Sequence, residues 1–581
     1  MSFFNGFDPR EPMTFNQRAE VLWGLGAIAF LIFVVVVNNP GLAVFLILGF
    51  VIYCLRRTKP KVDSASHGSA RFAERSDLSS AGCLKLQEGF LIGQSIDLRK
   101  SSRKPIEIVV PDWRFPHISV IGPSGTGKST CFSIANLRSR DPAGCIALDP
   151  KGELARESAA WRAQNLGHEI VIIDPYRISG LNQFKCGRIN PLRLQDSCSK
   201  LIADDARRLA NALVVRTSQE REPFWPNSAQ ALIQCMTTFL MSEAKPEKAN
   251  LNHLRDILTN SESTQEILEY MYATDNCHGL LRRMAGQVMQ WKGQTAASVF
   301  GVANSHLEFL DSVPVAEILS DTDFDPMLLL QNRMTLYLCL PVDRIMEMRG
   351  LQRILVTSLV NFVFQAGESK SRRVRLMLDE AASLGEIDAL YNAVMFGRGF
   401  GLRATLFFQS ASQIAQCFPE SKAADYKGTV ATVFSGVNDF VGAEEVSKWI
   451  GQTTVTSSSS QYSSNYGNSS SQNYRESQTG YNSGSSNSFT QNQIGRPLIQ
   501  AEELLQLPPS IGIALLPSIP PILFEKVPYF ARLKPKHVKK IRRVSMLNRS
   551  ALAILIALLT CAAVAVCQVI AEQRTGQASG L

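Results

Sequence analysis

A glycine-rich segment that ends in a lysine and a serine has the residue types and spacing that bind nucleotide phosphates. Residues 122–129 match G-x-x-x-x-G-K-[ST] and lie between the apolar run 118–121 and a helical pattern that begins at Lys128. In this pattern backbone amides surround the phosphates, the lysine reaches the β- and γ-phosphate oxygens, and the hydroxyl group binds Mg²⁺. We therefore predict ATP and Mg²⁺ as cofactors, Lys128 as a catalytic cation and Ser129 as a magnesium ligand. The predicted nucleotide-binding residues are Gly122, Pro123, Ser124, Gly125, Thr126, Gly127, Lys128, Ser129 and Thr130.

Two adjacent acids, Asp379 and Glu380, follow an apolar run and have the chemistry that would complete such a site. Phosphoryl transfer needs charge neutralisation and a positioned nucleophile. We therefore predict that Asp379 holds the magnesium shell and that Glu380 polarises the attacking water. Gln409 follows the run 404–408 and is predicted to sense the γ-phosphate. A polar cap at a strand end is the alternative interpretation of Gln409.

Several short apolar runs end beside polar residues, which is typical of buried parallel strands whose carboxyl ends carry a site. These runs are 118–121, 145–148, 170–173, 374–378 and 404–408. Between the third and fourth runs the pattern turns helical, because Leu232, Met236 and Phe239 fall on one helix face. The sequence therefore predicts an α/β fold in which residues 203–320 form an inserted all-α domain.

Residues 453–493 are mainly Ser, Asn, Gln, Gly and Tyr, and Arg475 and Glu476 are their only charges. Such a composition buries too little apolar surface to form a packed core, so we predict a disordered loop. Its tyrosines have faces on which nucleic-acid bases stack, and a plain surface insertion is the alternative. Strand-like runs resume at 511–516 and 522–526, so the loop interrupts a domain and does not end it.

Three apolar runs predict membrane segments. Residues 21–37 and 42–55 are separated by a short uncharged turn and predict a hairpin. A re-entrant hairpin is the alternative, because a spanning helix takes roughly 20 residues. Four basic residues at 56–61 follow, and the positive-inside rule then places the body of the protein in the cytoplasm. The run 551–571 predicts a third span.

Charge and cysteine usage exclude two simple interpretations. The formal net charge of +9 equals the nine basic residues, with no acid, between Lys526 and Arg549. The rest of the chain is near neutral, so total charge does not predict nucleic-acid binding. The 12 cysteines are scattered without metal-ligand spacing, which is typical of a reduced, cytosolic body.

The order of short motifs resembles that of the type IV secretion coupling proteins. Besides the phosphate-binding segment, the shared motifs are HGSARFA at 67–73, LDPKGEL at 148–154, LDEA at 378–381, GRGFG at 397–401, FQS at 408–410 and GRPL at 495–498. The likeness covers residues 1 to about 526. It implies an inner-membrane ATPase with an N-terminal membrane hairpin, a RecA-like core and an inserted all-helical domain. It also implies a hexameric ring that feeds relaxase-bound single-stranded DNA, or effector proteins, to a secretion channel.

In such a ring we predict that Arg398 acts on the nucleotide of the neighbouring subunit. After Asp379 the helical stretch 387–396 runs back toward the opposite edge of the sheet, which places Arg398 far below its own phosphates. The corresponding position in the family suggests the same role, that of an arginine finger. Arg403 is the local competitor, and a surface ion pair is the structural alternative.

The predicted division of the chain follows from these segments. It comprises an N-terminal membrane hairpin at 1–61, a RecA-like nucleotide-binding domain in two parts at 62–202 and 321–545, the all-α insertion at 203–320, and a C-terminal transmembrane helix with a short tail at 546–581. The resulting hypothesis is a multi-pass inner-membrane ATPase with a cytoplasmic body that drives DNA transfer through a type IV secretion channel. A coupling ATPase for effector proteins only and a chromosomal DNA translocase are the alternatives.

Overall fold

The computed structural model describes residues 68–84, 89–96, 105–194, 200–216, 222–419, 421–473 and 476–532, without the side chains of 456–492. The chain divides into two compact units, Met1–Pro528 and Tyr529–Leu581. Within these described ranges no helix is both long and apolar enough to cross a bilayer. The predicted membrane segments 21–37, 42–55 and 551–571 lie outside the described residues.

The strands are short, apart from one pair. They are β1 Gly89–Ser95, β2 Glu107–Pro111, β3 Ile118–Ile121, β4 Gly144–Leu148, β5 Glu169–Ile173, β6 Met334–Leu338, β7 Val374–Leu378, β8 Leu402–Phe408, β9 Ala431–Phe434, β10 Gln452–Asn473, β11 Glu476–Pro497, β12 Ile511–Leu515 and β13 Ile522–Glu525. Among the described residues, eleven of them form one sheet in the order β2-β1-β13-β12-β9-β3-β8-β7-β4-β6-β5.

The part of this sheet from β9 to β5 is parallel. Strands β3, β4, β6 and β7 are buried along their whole length, as expected for strands covered on both faces. The other end, from β2 to β12, is antiparallel. Because parallel strands end at a common edge, the residues after β3, β4, β7 and β8 are brought together. The predicted α/β class is confirmed.

The helices cover this sheet and fill the long stretch between β5 and β6. They are α1 Arg75–Ser80, α2 Ile134–Leu137, α3 Glu153–Leu166, α4 Ile202–Leu213, α5 Phe224–Ser242, α6 Leu251–Thr259, α7 Ser261–Ala273, α8 Asn276–Met289, α9 Gly293–Ser305, α10 Val313–Leu319, α11 Met327–Leu330, α12 Arg349–Gln365, α13 Asp388–Met395, α14 Ile414–Cys417, α15 Ser421–Thr429, α16 Phe440–Ile450, α17 Ala501–Leu505 and α18 Tyr529–Arg532. Short 3₁₀ turns occur at Glu308–Asp311, Val342–Arg344, Ala381–Leu384 and Ala411–Gln413, and Lys128–Ser133 is a π-helical turn.

Helices α4 to α11 follow one another between β5 and β6, and the described residues of that interval contain no strand of the main sheet. The helical pattern read from the sequence therefore corresponds to real helices. Their apolar faces are continuous with the core beneath the sheet, since Leu209 and Leu232 belong to the same buried cluster as Leu376. The division of residues 203–320 into a separate domain stays a prediction.

The Ser/Asn-rich segment is a long antiparallel hairpin, so the prediction of a disordered loop at 453–493 was wrong. Strands β10 and β11 pair from Gln452 opposite Pro497 to Asn473 opposite Glu476. The prediction assumed that order requires buried apolar surface. A two-stranded ladder instead satisfies its backbone groups strand to strand, and the segment contains no proline before Pro497 to interrupt that ladder.

Candidate nucleotide-binding site

The glycine-rich segment forms a loop between β3 and the π-helical turn that begins at Lys128. The loop starts where the Gly122 amide donates to the Phe408 carbonyl at 3.1 Å, which ties it to the neighbouring strand β8. Gly127 has φ 85°, and a Cβ there would lie 3.0 Å from Cys131 Sγ. Only glycine adopts this left-handed conformation without strain, so the backbone amides stay free to face a phosphate.

Lys128 lies half-buried against this loop. Its ammonium donates to the Gly122 carbonyl and, at 3.1 Å, to the Pro123 carbonyl. Burial lowers the pKa of Lys128, and the carboxylates of Asp379 and Glu380 act in the opposite direction. The lysine is thus a desolvated cation near two acids, and its bonds to neutral carbonyls are ones that phosphate oxygens can replace.

Ser129 and Thr130 lie in the first turn of the helix, both half-buried. The Thr130 hydroxyl donates to the Gly127 carbonyl at 3.4 Å. Thr126 folds back inside the loop, donating from its hydroxyl to the Pro123 carbonyl at 2.8 Å. Ser124 and Gly125 are the exposed tip of the loop. The predicted nucleotide-binding residues therefore form one continuous turn around the end of β3.

Asp379 and Glu380 follow β7 directly, two strands from β3 in the sheet. Burial and the nearby Asp149 carboxylate raise the pKa of Asp379 to about 7, against the opposing charge of Lys128. Burial likewise raises the pKa of Asp149 to about 6. Two carboxyl groups whose ionisation is disfavoured without a cation are suited to the shell of Mg²⁺.

Glu380 and Gln409 are in direct contact. Gln409 follows β8, and its amide nitrogen donates to Glu380 Oε2 at 2.9 Å. Glu380 has φ 77°, an uncommon backbone conformation for a residue other than glycine, which turns the chain sharply after β7. The structure therefore brings Lys128, Asp379, Glu380 and Gln409 to one edge of the sheet.

Arg398 lies elsewhere. It follows α13 and precedes β8, and its guanidinium donates to the Trp113 carbonyl at 2.8 Å, on the amino side of β3. Arg403 donates to the Arg398 carbonyl at 3.2 Å in the same region. Both arginines are thus at the amino edge of the parallel strands, whereas the phosphate loop is at the carboxyl edge. Within its own subunit, Arg398 is separated from the nucleotide site by the length of β8.

The sequence pattern left three supporting residues unassigned. Asp149 follows β4 just as Asp379 follows β7, so the same strand-end signal was available, and its Oδ2 accepts from the Ala155 amide at 2.9 Å. Ser435 and Lys526 both donate to the Thr126 carbonyl, at 2.9 and 2.8 Å. Neither residue has a recognisable motif, because their role depends on β9 and β13 folding back beside the loop.

This architecture and site define the class of P-loop nucleotide-binding α/β proteins. Residues 71–552 match the family described as "Type IV secretory system Conjugative DNA transfer". The chain therefore belongs to that family, as its motifs suggested.

Individual relatives agree with this assignment. The Conjugal transfer protein TraG of Escherichia coli is 24% identical over 433 residues, which is 68% of this chain and 66% of that protein. The Type IV secretion system-coupling protein VirD4 of Bartonella quintana is 23% identical over 374 residues, 63% of this chain and 57% of that protein. The chain thus matches 66% and 57% of the length of these two relatives, which is less than two thirds of each.

Solved structures of the plasmid coupling protein TrwB share the fold. The complex of TrwB with ADP and Mg²⁺ has a TM-score of 0.54 and 18% sequence identity, covering 79% of this chain and 93% of that one. The complex of TrwB with the non-hydrolysable analogue ADPNP gives the same TM-score at 17% identity.

Proposed function

We propose that this protein is a membrane-anchored ATPase that couples relaxase-bound single-stranded DNA to a type IV secretion channel and drives its transfer by ATP hydrolysis. The observation that carries the proposal is the convergence of Lys128, Asp379, Glu380 and Gln409 at one sheet edge, in a chain of the conjugative DNA-transfer family. Membrane anchoring is inferred from the apolar runs 21–37, 42–55 and 551–571.

Each residue of the site has a defined task in this proposal. The loop amides and Lys128 bind the β- and γ-phosphates, and Ser129 and Asp379 hold Mg²⁺, which neutralises phosphate charge when bound. Glu380 orients and polarises the attacking water. The Gln409 amide donates to Glu380 at 2.9 Å and so holds the carboxylate in place. Because Gln409 follows β8 at the same edge of the sheet, it is also the residue that senses the γ-phosphate in this proposal.

We propose that the protein forms a homohexameric ring in which Arg398 acts on the nucleotide of a neighbouring subunit. The guanidinium lies at the amino edge of the sheet, far from the nucleotide of its own subunit. An exposed arginine in that place can contact only a nucleotide held by another subunit, where it would neutralise transition-state charge. The plasmid coupling protein TrwB shares this fold.

Crosslinking of the full-length protein to its cargo in donor cells tests the substrate class. A photoreactive group is placed in the tagged protein, and the recovered adducts are identified in the parent and in Lys128→Ala. We expect a relaxase and its DNA strand, with strand passage lost in Lys128→Ala. Recovery of effector proteins without DNA would replace the DNA substrate with a protein one, and recovery of neither would contradict the proposal.

A further inference from the structure

A second polar cavity lies away from the phosphate loop, between α4, α12 and α13. Its volume is about 600 Å³, within the range of small-molecule sites, and no residue of the loop 122–130 lines it. Helix α4 and the turn after it contribute Arg207, Arg208 and Arg216, while α12 forms the floor. The cavity therefore occupies the junction between the helical stretch and the helices packed on the sheet.

The floor of the cavity contains two buried polar side chains whose hydrogen-bonding capacity is not fully used within the described residues. Thr357 and Asn361 lie one turn apart on α12, so both face the cavity side, and their exposed fractions are 4% and 7%. Among the described residues, Thr357 Oγ1 and Asn361 Nδ2 have no hydrogen-bond partner. Because burying an unpaired polar group costs free energy, a bound molecule with oxygen acceptors would stabilise this floor.

The two carboxylates at the far wall share one cation. Lys422 lies 2.6 Å from Glu386 Oε1 and 3.9 Å from Asp388 Oδ1, and the Asn211 amide donates to Asp388 at 2.7 Å. One negative charge therefore remains at this wall, which is less than the positive charge of the cavity's arginines that lack an ion pair among the described residues.

The arginines, in contrast, keep an excess of positive charge. Arg208 pairs with Asp205 at 3.2 Å. Arg216 donates to the neutral amide oxygens of Asn227 and Gln230, at 2.7 and 2.8 Å. Within the described part of the chain, Arg207 has no ion pair. Arg353 also lines the cavity, but its guanidinium is taken up by backbone carbonyls, those of Ala212 and Leu384 among them. Among the described residues, Arg207 and Arg216 are thus the guanidinium groups that face the cavity with neither a carboxylate nor such a set of carbonyls, which favours an anionic ligand.

We propose that this cavity binds nucleotide phosphate esters, as a free nucleotide or as nucleotides of a single strand. Guanidinium groups match phosphate geometry, so the phosphates lie at Arg207 and Arg216. An inorganic phosphate would leave most of about 600 Å³ empty. The sugar or base fills the remainder, where Thr357 and Asn361 supply hydrogen bonds. The cavity shares no residue with the phosphate loop, so free-nucleotide binding is independent of the proposed ATPase site, whereas binding of a single strand rests on the proposed DNA cargo.

Binding measured with the phosphate loop already occupied tests this site. The purified full chain is saturated with Mg²⁺ and a non-hydrolysable ATP analogue, and fluorescent 5′-phosphorylated thymidine dinucleotide or long oligothymidylate is then titrated. The double variant Arg207→Ala, Arg216→Ala should bind the probe at least about tenfold more weakly than the parent. Arg283→Ala removes an exposed arginine outside the cavity and should stay within about twofold of the parent.

The two probes identify the source of the nucleotide. Dinucleotide binding that is lost in the double variant indicates a free nucleotide, whereas binding of oligothymidylate alone, lost in the same variant, indicates a strand. Equal affinity of the double variant and Arg283→Ala for both probes would overturn the proposal.

A third variant distinguishes binding inside the cavity from electrostatic attraction of the probe to the protein surface. Asn361→Leu keeps the net charge and replaces a buried amide whose nitrogen lacks a hydrogen-bond partner among the described residues, so we expect the fold to tolerate it. We expect at least about threefold weaker binding, a loss of one neutral hydrogen bond. Unchanged affinity in Asn361→Leu would show that the arginines attract the probe from outside the cavity, and the site would be withdrawn.

Discussion

The two edges of the parallel strands differ in whether their charged side chains form ion pairs with one another. At the amino edge, Arg375 is buried between Asp112 and Asp141, at 2.8 and 2.9 Å, and Arg373 also pairs with Asp141. At the carboxyl edge, the described residues show no ion pair between Lys128 and the acids that follow β7, although Lys128 and Asp379 each act on the pKa of the other. Removing one member of the buried amino-edge pairs leaves an uncompensated charge, whereas we propose that the charges of the carboxyl edge act on a ligand.

Lys128→Ala should have the largest effect on activity. It removes the cation that we propose contacts the phosphates, so ATP turnover should fall at least about a hundredfold. The melting temperature should stay close to that of the parent, because the lost bonds are to loop carbonyls at a half-buried position. A coupled ATPase assay and calorimetry measure both. A much lower melting temperature in Lys128→Ala would instead show that Lys128 has a structural role, as the buried ion pairs of the amino edge do.

Arg375→Leu should show the reverse pattern. The substitution leaves Asp112 buried without its partner, and removing one member of a buried pair costs about 3–5 kcal/mol of unfolding free energy. Nucleotide affinity of the folded fraction should not change. Urea denaturation gives the free energy, with exposed Arg283→Leu as the matched control. Equal unfolding free energies for Arg375→Leu and Arg283→Leu would show that the ion pairs of the amino edge have no special structural role.

Arg398 tests whether the amino edge contributes to chemistry in a neighbouring subunit. Arg398→Ala and Lys128→Ala should each be inactive alone, yet mixed rings should regain part of the ATPase activity. Some interfaces in such rings pair an intact loop with an intact arginine. Activity is followed across mixing ratios, with subunit exchange confirmed by two affinity tags. No recovery in rings shown to be mixed would return Arg398 to a structural role through its bond to the Trp113 carbonyl.

Shortening the hairpin should have the smallest effect. Within the segment 461–488, residues pair from Gln461 opposite Ser488 to Asn473 opposite Glu476. Replacing them with an Asn-Gly turn keeps the base, where Thr454 donates to the Gly68 carbonyl at 3.0 Å. ATPase activity and melting temperature should match those of the parent. A fall in either would show that the outer hairpin supports the core.

The sequence alone predicted most of the polar residues that the structure brings together at the carboxyl edge. Asp379, Glu380 and Gln409 each follow an apolar run, and parallel strands bring such ends together. The amino edge was not predicted, because Asp112 and Asp141 meet Arg375 only through tertiary packing across more than 200 positions. Lys526 at the phosphate loop was missed for the same reason. The hairpin was missed because backbone pairing leaves no hydrophobic pattern in sequence.

The most direct measurement compares nucleotide binding and turnover in Glu380→Gln, side by side with the parent. The substitution keeps the size of the side chain and removes the proposed water-polarising base, while Lys128, Ser129 and Asp379, the proposed binding residues, are left unchanged. We predict unchanged affinity for Mg²⁺ and ATP and a turnover rate lower by roughly 10²- to 10⁴-fold. Turnover at the parent's rate would contradict the assignment of this edge as the hydrolytic site.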